Sequence, residues 1–145
     1  MKDLPRFLLD AANSGVYGAP GPVASFAQGA RASGLACFDL DLADVTGKAA
    51  FLVRCQMVFG LPPSFGQNWD ALADCLEDFS WRSARGYVIL VTNGTAFAQH
   101  AARDFDTALE ILGAAATYWL AKSRPFVVVL DTATCAGRTV KSLPR

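Results

Sequence analysis

Two uninterrupted apolar runs, Gly86–Val91 (GYVILV) and Phe126–Leu130 (FVVVL), constrain this chain more than any other feature. Each is too short for a stable helix, and both are rich in β-branched residues. An apolar run without alternation is the pattern of a strand buried on both faces, as in a parallel sheet covered by helices. Parallel strands need a long crossover, normally helical and right-handed. The intervening segment supplies one. Asn93-Gly94 breaks the first run and a short helix containing His100 is expected next. Thr107 and Glu110 have capping-box spacing, and Leu109, Leu112, Ala116 and Trp119 form the stripe of a longer helix.

The same unit is written upstream. Leu35–Leu42 alternates Phe38, Leu40 and Leu42 with Asp39 and Asp41, the pattern of a half-buried strand. Asp44 or Thr46 can cap a helix running to Phe59, with Gly60 to end it and Pro62-Pro63 to forbid continuation. After the turn Ser64-Phe65-Gly66-Gln67, Asn68 is a good N-cap for a second helix through about Phe79. The order strand, two helices, strand, two helices, strand predicts an α/β fold with a parallel sheet. Residues 1–34 read as an irregular preface: a short helix near Phe7–Ala12, a loop holding Gly18, Pro20, Gly21 and Pro22, and a helix over Val23–Ala32. The tail from Asp131 is polar, with Arg138, Lys141 and Arg145, and partial disorder is expected there.

The chain has 145 residues, 13 basic and 13 acidic side chains and a net charge of zero. One domain of that size can bury a sufficient core. Neutrality argues against a protein that coats nucleic acid. Cys37, Cys55, Cys75 and Cys135 form no CxxC pair and have apolar neighbours, as buried thiols of an intracellular protein do. The N-terminus is interrupted by Asp3, Pro5, Arg6 and Asp10, which breaks any secretory core, and no apolar run reaches the ~20 residues of a membrane span. The expected location is cytoplasmic.

The helix after Asn68 is the best candidate for function. At 100° per residue, Asp70, Asp74, Glu77 and Asp78 fall within about 100° of one another, while Trp69, Leu72, Leu76 and Phe79 take the opposite side. No Lys or Arg lies between Arg54 and Arg82. Asp70 with Asp74 and Asp74 with Asp78 are like-charge i,i+4 pairs, each unfavourable by roughly 0.2–0.5 kcal/mol, and Glu77 and Asp78 sit at the helix end that disfavours negative charge. Such a face is either an ordinary solvated surface or a contact for a basic pocket. Catalytic readings are weaker. Asp70 and Asp74 alone are an incomplete metal site. Cys75 with His100, the sole histidine, would make a nucleophile and base, but Cys75 leans toward the core side of its helix. There is no phosphate-binding loop, nucleophile elbow or Rossmann glycine pattern.

The segment LPPSFGQNWDALADCL, residues 61–76, resembles the core motif of the barstar family, small bacterial inhibitors of secreted ribonucleases. The shared pattern is a Leu-Pro turn, an aromatic-Gly step, Asn, and then Asp-Ala-Leu-x-Asp-Cys-Leu. The resemblance implies a barstar-like three-stranded parallel sheet packed with helices. It divides the chain into an N-terminal extension (1–34), a barstar-like domain (35–130) and a polar basic tail (131–145). It also implies that Asp74 matches the carboxylate occupying the place of a substrate phosphate in the nuclease active site, with Asp70 a second acidic contact. Gly66 and Asn68 match the loop and helix start lying against the enzyme, with Phe65, Glu77 and Asp78 beside them. Ser64 stands where the family has an exposed aromatic contact, Ala73 where it has a tryptophan, and Tyr118 near an acidic contact from the last helix. The implied function is an intracellular inhibitor of a small bacterial ribonuclease, barnase-like, or of another basic toxin. No catalysis, cofactor, metal, membrane or direct nucleic-acid contact is expected. The alternative is a barstar-fold binding module for a different toxin or regulatory partner, or for another copy of itself.

Overall fold

The computed structural model describes residues 4–19, 21–135 and 140–143. The two apolar runs form neighbouring parallel strands, β3 (Tyr87–Thr92) and β4 (Phe126–Leu130), with Tyr87 beside Phe126. The alternating segment is β2 (Ala36–Asp41), an edge strand parallel to β3. Two further strands correct the expected count of three to five. β1 (Gly15–Gly18) lies parallel on the outer side of β4, pairing Gly15 with Val127 and Gly18 with Leu130, and β5 (Lys141–Ser142) follows it. The sheet order is β2-β3-β4-β1-β5.

The pleat divides each central strand between two cores. Phe38, Leu40, Tyr87, Ile89, Val91, Phe126, Val128 and Leu130 face one layer. It is built by α3 (Lys48–Phe59), α4 (Trp69–Leu76), α5 (Thr95–His100) and α6 (Ala102–Ala121). Val88, Leu90, Val127 and Val129 face the other, which is closed by Leu8 of α1 (Leu4–Leu9), Phe26, Ala27 and Ala30 of α2 (Ala24–Ala32), Tyr17 of β1 and Leu143. Burial on both faces is therefore real, and the second cover comes from the segment read as an irregular preface. β1 escaped notice because GVYG offers only two apolar side chains between glycines.

Other boundaries moved for local reasons. α3 starts after Gly47, which has no side chain to cap it, and Asp44 instead sits in the left-handed region (φ 68°). Gly60 ends α3 as expected, at φ 65°. α6 begins at Ala102, so Thr107 is not a cap: its hydroxyl donates to the carbonyl of Arg103 one turn earlier. Cys55 is buried as expected, but Cys37 and Cys75 are only half-buried. The tail contributes α7 (Thr132–Cys135) and β5. Pro20, Arg138, Arg145 and the side chain of Cys135 lie outside the described residues. No helix among them is long and apolar enough to cross a membrane.

Candidate functional site

The acidic helix α4 is held at both ends. Asn68 adopts extended backbone (φ −135°, ψ 169°), and its Oδ1 accepts a 2.8 Å hydrogen bond from the Ala71 amide, satisfying one orphan donor of the first turn. At the other end the Trp119 indole of α6 donates at 2.8 Å to the Leu76 carbonyl, in a buried position. The helix stops at Leu76, short of the expected Phe79. Phe79 turns into the left-handed region (φ 50°), which places its ring against Tyr87 at 4.6 Å and Phe38 at 5.6 Å between centroids. A bulky residue there carries strain on the order of 1–3 kcal/mol, offset by aromatic burial.

The preceding loop is equally constrained. Leu61 and Phe65 are buried, and the Phe65 amide donates to Pro62 O at 2.8 Å. The Phe65 side chain thus anchors the loop from beneath and is not presented to a partner. Gln67, at φ 51°, donates from Nε2 to Gln56 Oε1 of α3 at 3.0 Å. A Cβ on Gly66 would come to 3.0 Å from Asn68 Nδ2, so any side chain there pushes on the cap.

Ser64, Gly66, Asn68, Asp70, Asp74 and Asp78 are exposed on this surface, while Ala73 and Glu77 are half-exposed. Leu72 and Leu76 are buried and Trp69 half-buried, as the helical spacing requires, while Phe79, past the helix end, is buried by its left-handed turn. Among the described residues no Lys or Arg comes within 4.0 Å of the four carboxylates. Tertiary structure adds what the local sequence could not: Lys48, at the start of α3, places its Nζ 5.5 Å from the centre of the Trp69 ring. Tyr118 is half-buried on α6 with Lys122 Nζ 5.5 Å from its ring centre. Lys48, Gln56 and Trp119 are remote in sequence, and no local signal marks them.

Among the described residues Cys75 and His100 are not joined. Burial, then Asp78 and Asp74, push the Cys75 thiol up, keeping it protonated and poorly nucleophilic. His100 is exposed at the end of α5, and no hydrogen bond joins it to Cys75. Among the described residues there is no group of three or more His, Cys, Asp or Glu side chains arranged to hold a metal. What the site offers is an exposed surface with Asp70 and Asp74 one helical turn apart on α4 and Asp78 just past the helix end, where its Oδ2 accepts from Ser80 Oγ at 3.1 Å.

A family model described as Barstar (barnase inhibitor) matches residues 35–131, which include this loop, the helix and the three strands beneath them. No curated protein matches the chain.

Proposed function

The chain belongs to the barstar family, and from that premise we propose that it inhibits a small bacterial ribonuclease by inserting α4 and its preceding loop into the enzyme's cationic active site. The observation that carries this reading is the exposed trio Asp70 and Asp74, on a helix held at both ends, and Asp78 just past its end, with no Lys or Arg within 4.0 Å among the described residues. Asp74, at the centre of the row, is the principal anchor, meeting Arg, Lys or protonated His where RNA phosphate would bind. Asp70 is second. Glu77 and Asp78 act chiefly by steering the encounter. The helix and loop are pre-organised, so little ordering entropy is lost on binding. The protein needs no catalytic group or cofactor, and it acts in the cytoplasm of the cell that makes the nuclease.

The test is cleavage of RNA by barnase, titrated with this chain and with its Asp74→Ala and Asp78→Ala variants. Asp74→Ala is expected to weaken inhibition by about 2–5 kcal/mol or more, the general range for truncating one partner of a buried interfacial charge pair, barnase–barstar pairs included. Stability should be unchanged or slightly raised, since two like-charge neighbours lose their repulsion. Asp78→Ala should mainly slow association and flatten its salt dependence. Inhibition by Asp74→Ala equal to the parent's would rule out the plug. A second reading, a different basic toxin as target, is favoured by the small side chains of Ser64 and Ala73 on the contact surface. It gains if barnase is not inhibited at micromolar concentrations.

A further inference from the structure

A second charged surface, opposite in sign, lies where β3 and β4 enter the sheet. The pairing of Tyr87 with Phe126 brings together the loops that precede the two strands, which carry Arg85 and Arg124. The two loops are locked together: Tyr87 N donates to Pro125 O at 2.9 Å, and a Cβ on Gly86 would come within 2.5 Å of Pro125 Cγ. Arg82 and Lys122 belong to the same loops. All four cations are exposed, and none has a carboxylate within 4.0 Å among the described residues. Packing holds two of them instead. The Arg124 guanidinium lies 5.9 Å from the Trp119 ring centre and donates to Ala84 O at 3.3 Å, while Lys122 sits over Tyr118.

We propose that this basic pole takes up the acidic α4 face of a second copy, so that the free chain associates head to tail. Its 13 positive and 13 negative side chains cancel, so two copies meet no net repulsion. The signs are nevertheless clustered, four acidic residues within 70–78 and four basic ones in the loops at 82–85 and 122–124. Asp70 and Asp74 are separated by a rise of about 6 Å along α4, and Asp78 follows just past its end, a series of carboxylates on which cations from two adjacent loops can lie. A nucleic acid would gain no long-range attraction from a neutral chain and would meet repulsion from α4. The contact uses different surfaces on its two sides, so copies add head to tail, closing into a ring if the rotation allows and otherwise leaving a free acidic face at one end. Exposed charges make it weak and sensitive to salt. The inference is independent of the ribonuclease reading, since it requires only the two surfaces.

Sedimentation velocity on the full chain tests it. Average mass should rise with concentration at about 0.01 M ionic strength, where the Debye length is about 30 Å, and return to the monomer at about 1 M. Arg85→Glu/Lys122→Glu and Asp70→Asn/Asp74→Asn should each remain monomeric at low salt. Arg124 is left in place because it also holds Ala84. Mixed together, the two variants should form a one-to-one dimer and stop there, because each retains only one working surface. A wild type that stays monomeric at low salt, variants that still associate, or a mixture that does not would each overturn the proposal. So would retention of a short oligouridylate RNA by the wild type but not by Arg85→Glu/Lys122→Glu, which would assign the pole to nucleic acid.

Discussion

Asn93 donates from its side-chain amide to Asp41 Oδ1 at 2.8 Å, bridging the ends of β2 and β3, and the Ala43 amide donates to the same oxygen at 3.0 Å. These bonds, Asn93 foremost, hold the Asp41 carboxyl below its ordinary value. Stability from a depressed carboxylate is fully present above the unfolded-state pKa, about 3.9, and is lost as pH falls through the lower folded value. Asn93 already has φ 58°, a conformation glycine takes without strain. Asn93→Gly should therefore cost no more than about 1 kcal/mol at neutral pH for this exposed site. The deficit should shrink below pH ~4 in unfolding curves taken across the acid range. The thiols give a second prediction. Burial pushes Cys37 up to about 11 and Cys55 higher still. Native protein treated with iodoacetamide should leave Cys55 unmodified until it unfolds. At Cys75 the flanking aspartates favour the protonated thiol. Asp74→Ala or Asp78→Asn should therefore speed its alkylation, an effect that salt erases.

Among the elements, α4 shows how an eight-residue helix that would not persist alone becomes a rigid surface. Its N-terminus was legible because Asn68 and the apolar spacing after it are local signals. Its C-terminus was not, because the stop is set by where the Phe79 ring must lie among Phe38, Phe59 and Tyr87. Asn68→Ala should cost about 1 kcal/mol. Trp119→Phe should cost about 1–3 kcal/mol, by leaving the buried Leu76 carbonyl unpaired. The two bonds lie at opposite ends of the helix, about 12 Å apart, so denaturant titrations of the double variant should show nearly additive losses. Coupling well above 0.5 kcal/mol would mean that the ends of α4 do not behave as separate anchors. In α6 the capping-box spacing of Thr107 and Glu110 misled. Burial of Phe105, whose amide donates to Ala101 O, extends that helix by a turn on its N-terminal side.

At the scale of the whole molecule, the region matched by the family and the unit that buries its core differ in extent. The family match runs over residues 35–131. Yet β1 pairs along β4, and α1 and α2 cover Val88, Leu90, Val127 and Val129, which are essentially inaccessible to solvent. Removing residues 1–34 would strip the sheet of Leu8, Tyr17, Phe26, Ala27 and Ala30 and leave β4 an open edge. We expect the truncated chain to aggregate or to lose its cooperative thermal transition. A soluble, monomeric 35–145 fragment with a sharp transition would show that the extension is an accessory rather than part of the core.

Much of this molecule follows from short-range chemistry. Apolar runs identified the two central strands, alternation the edge strand, Gly60 the end of α3, and Asn68 with its spacing the acidic face. Each depends on residues within a turn or two of one another, or on the solubility of a single segment. The tertiary structure decided what depends on distant partners. It added β1 and β5 to the sheet, because a four-residue strand exists only where a neighbouring edge satisfies its backbone. It seated Trp119 on the end of α4 and Lys48 over Trp69, and it locked the loop before β3 to the loop before β4 through Tyr87 with Pro125 and Arg124 with Ala84. Those juxtapositions come from the register of parallel strands and the packing of crossover helices, which no local run of residues specifies.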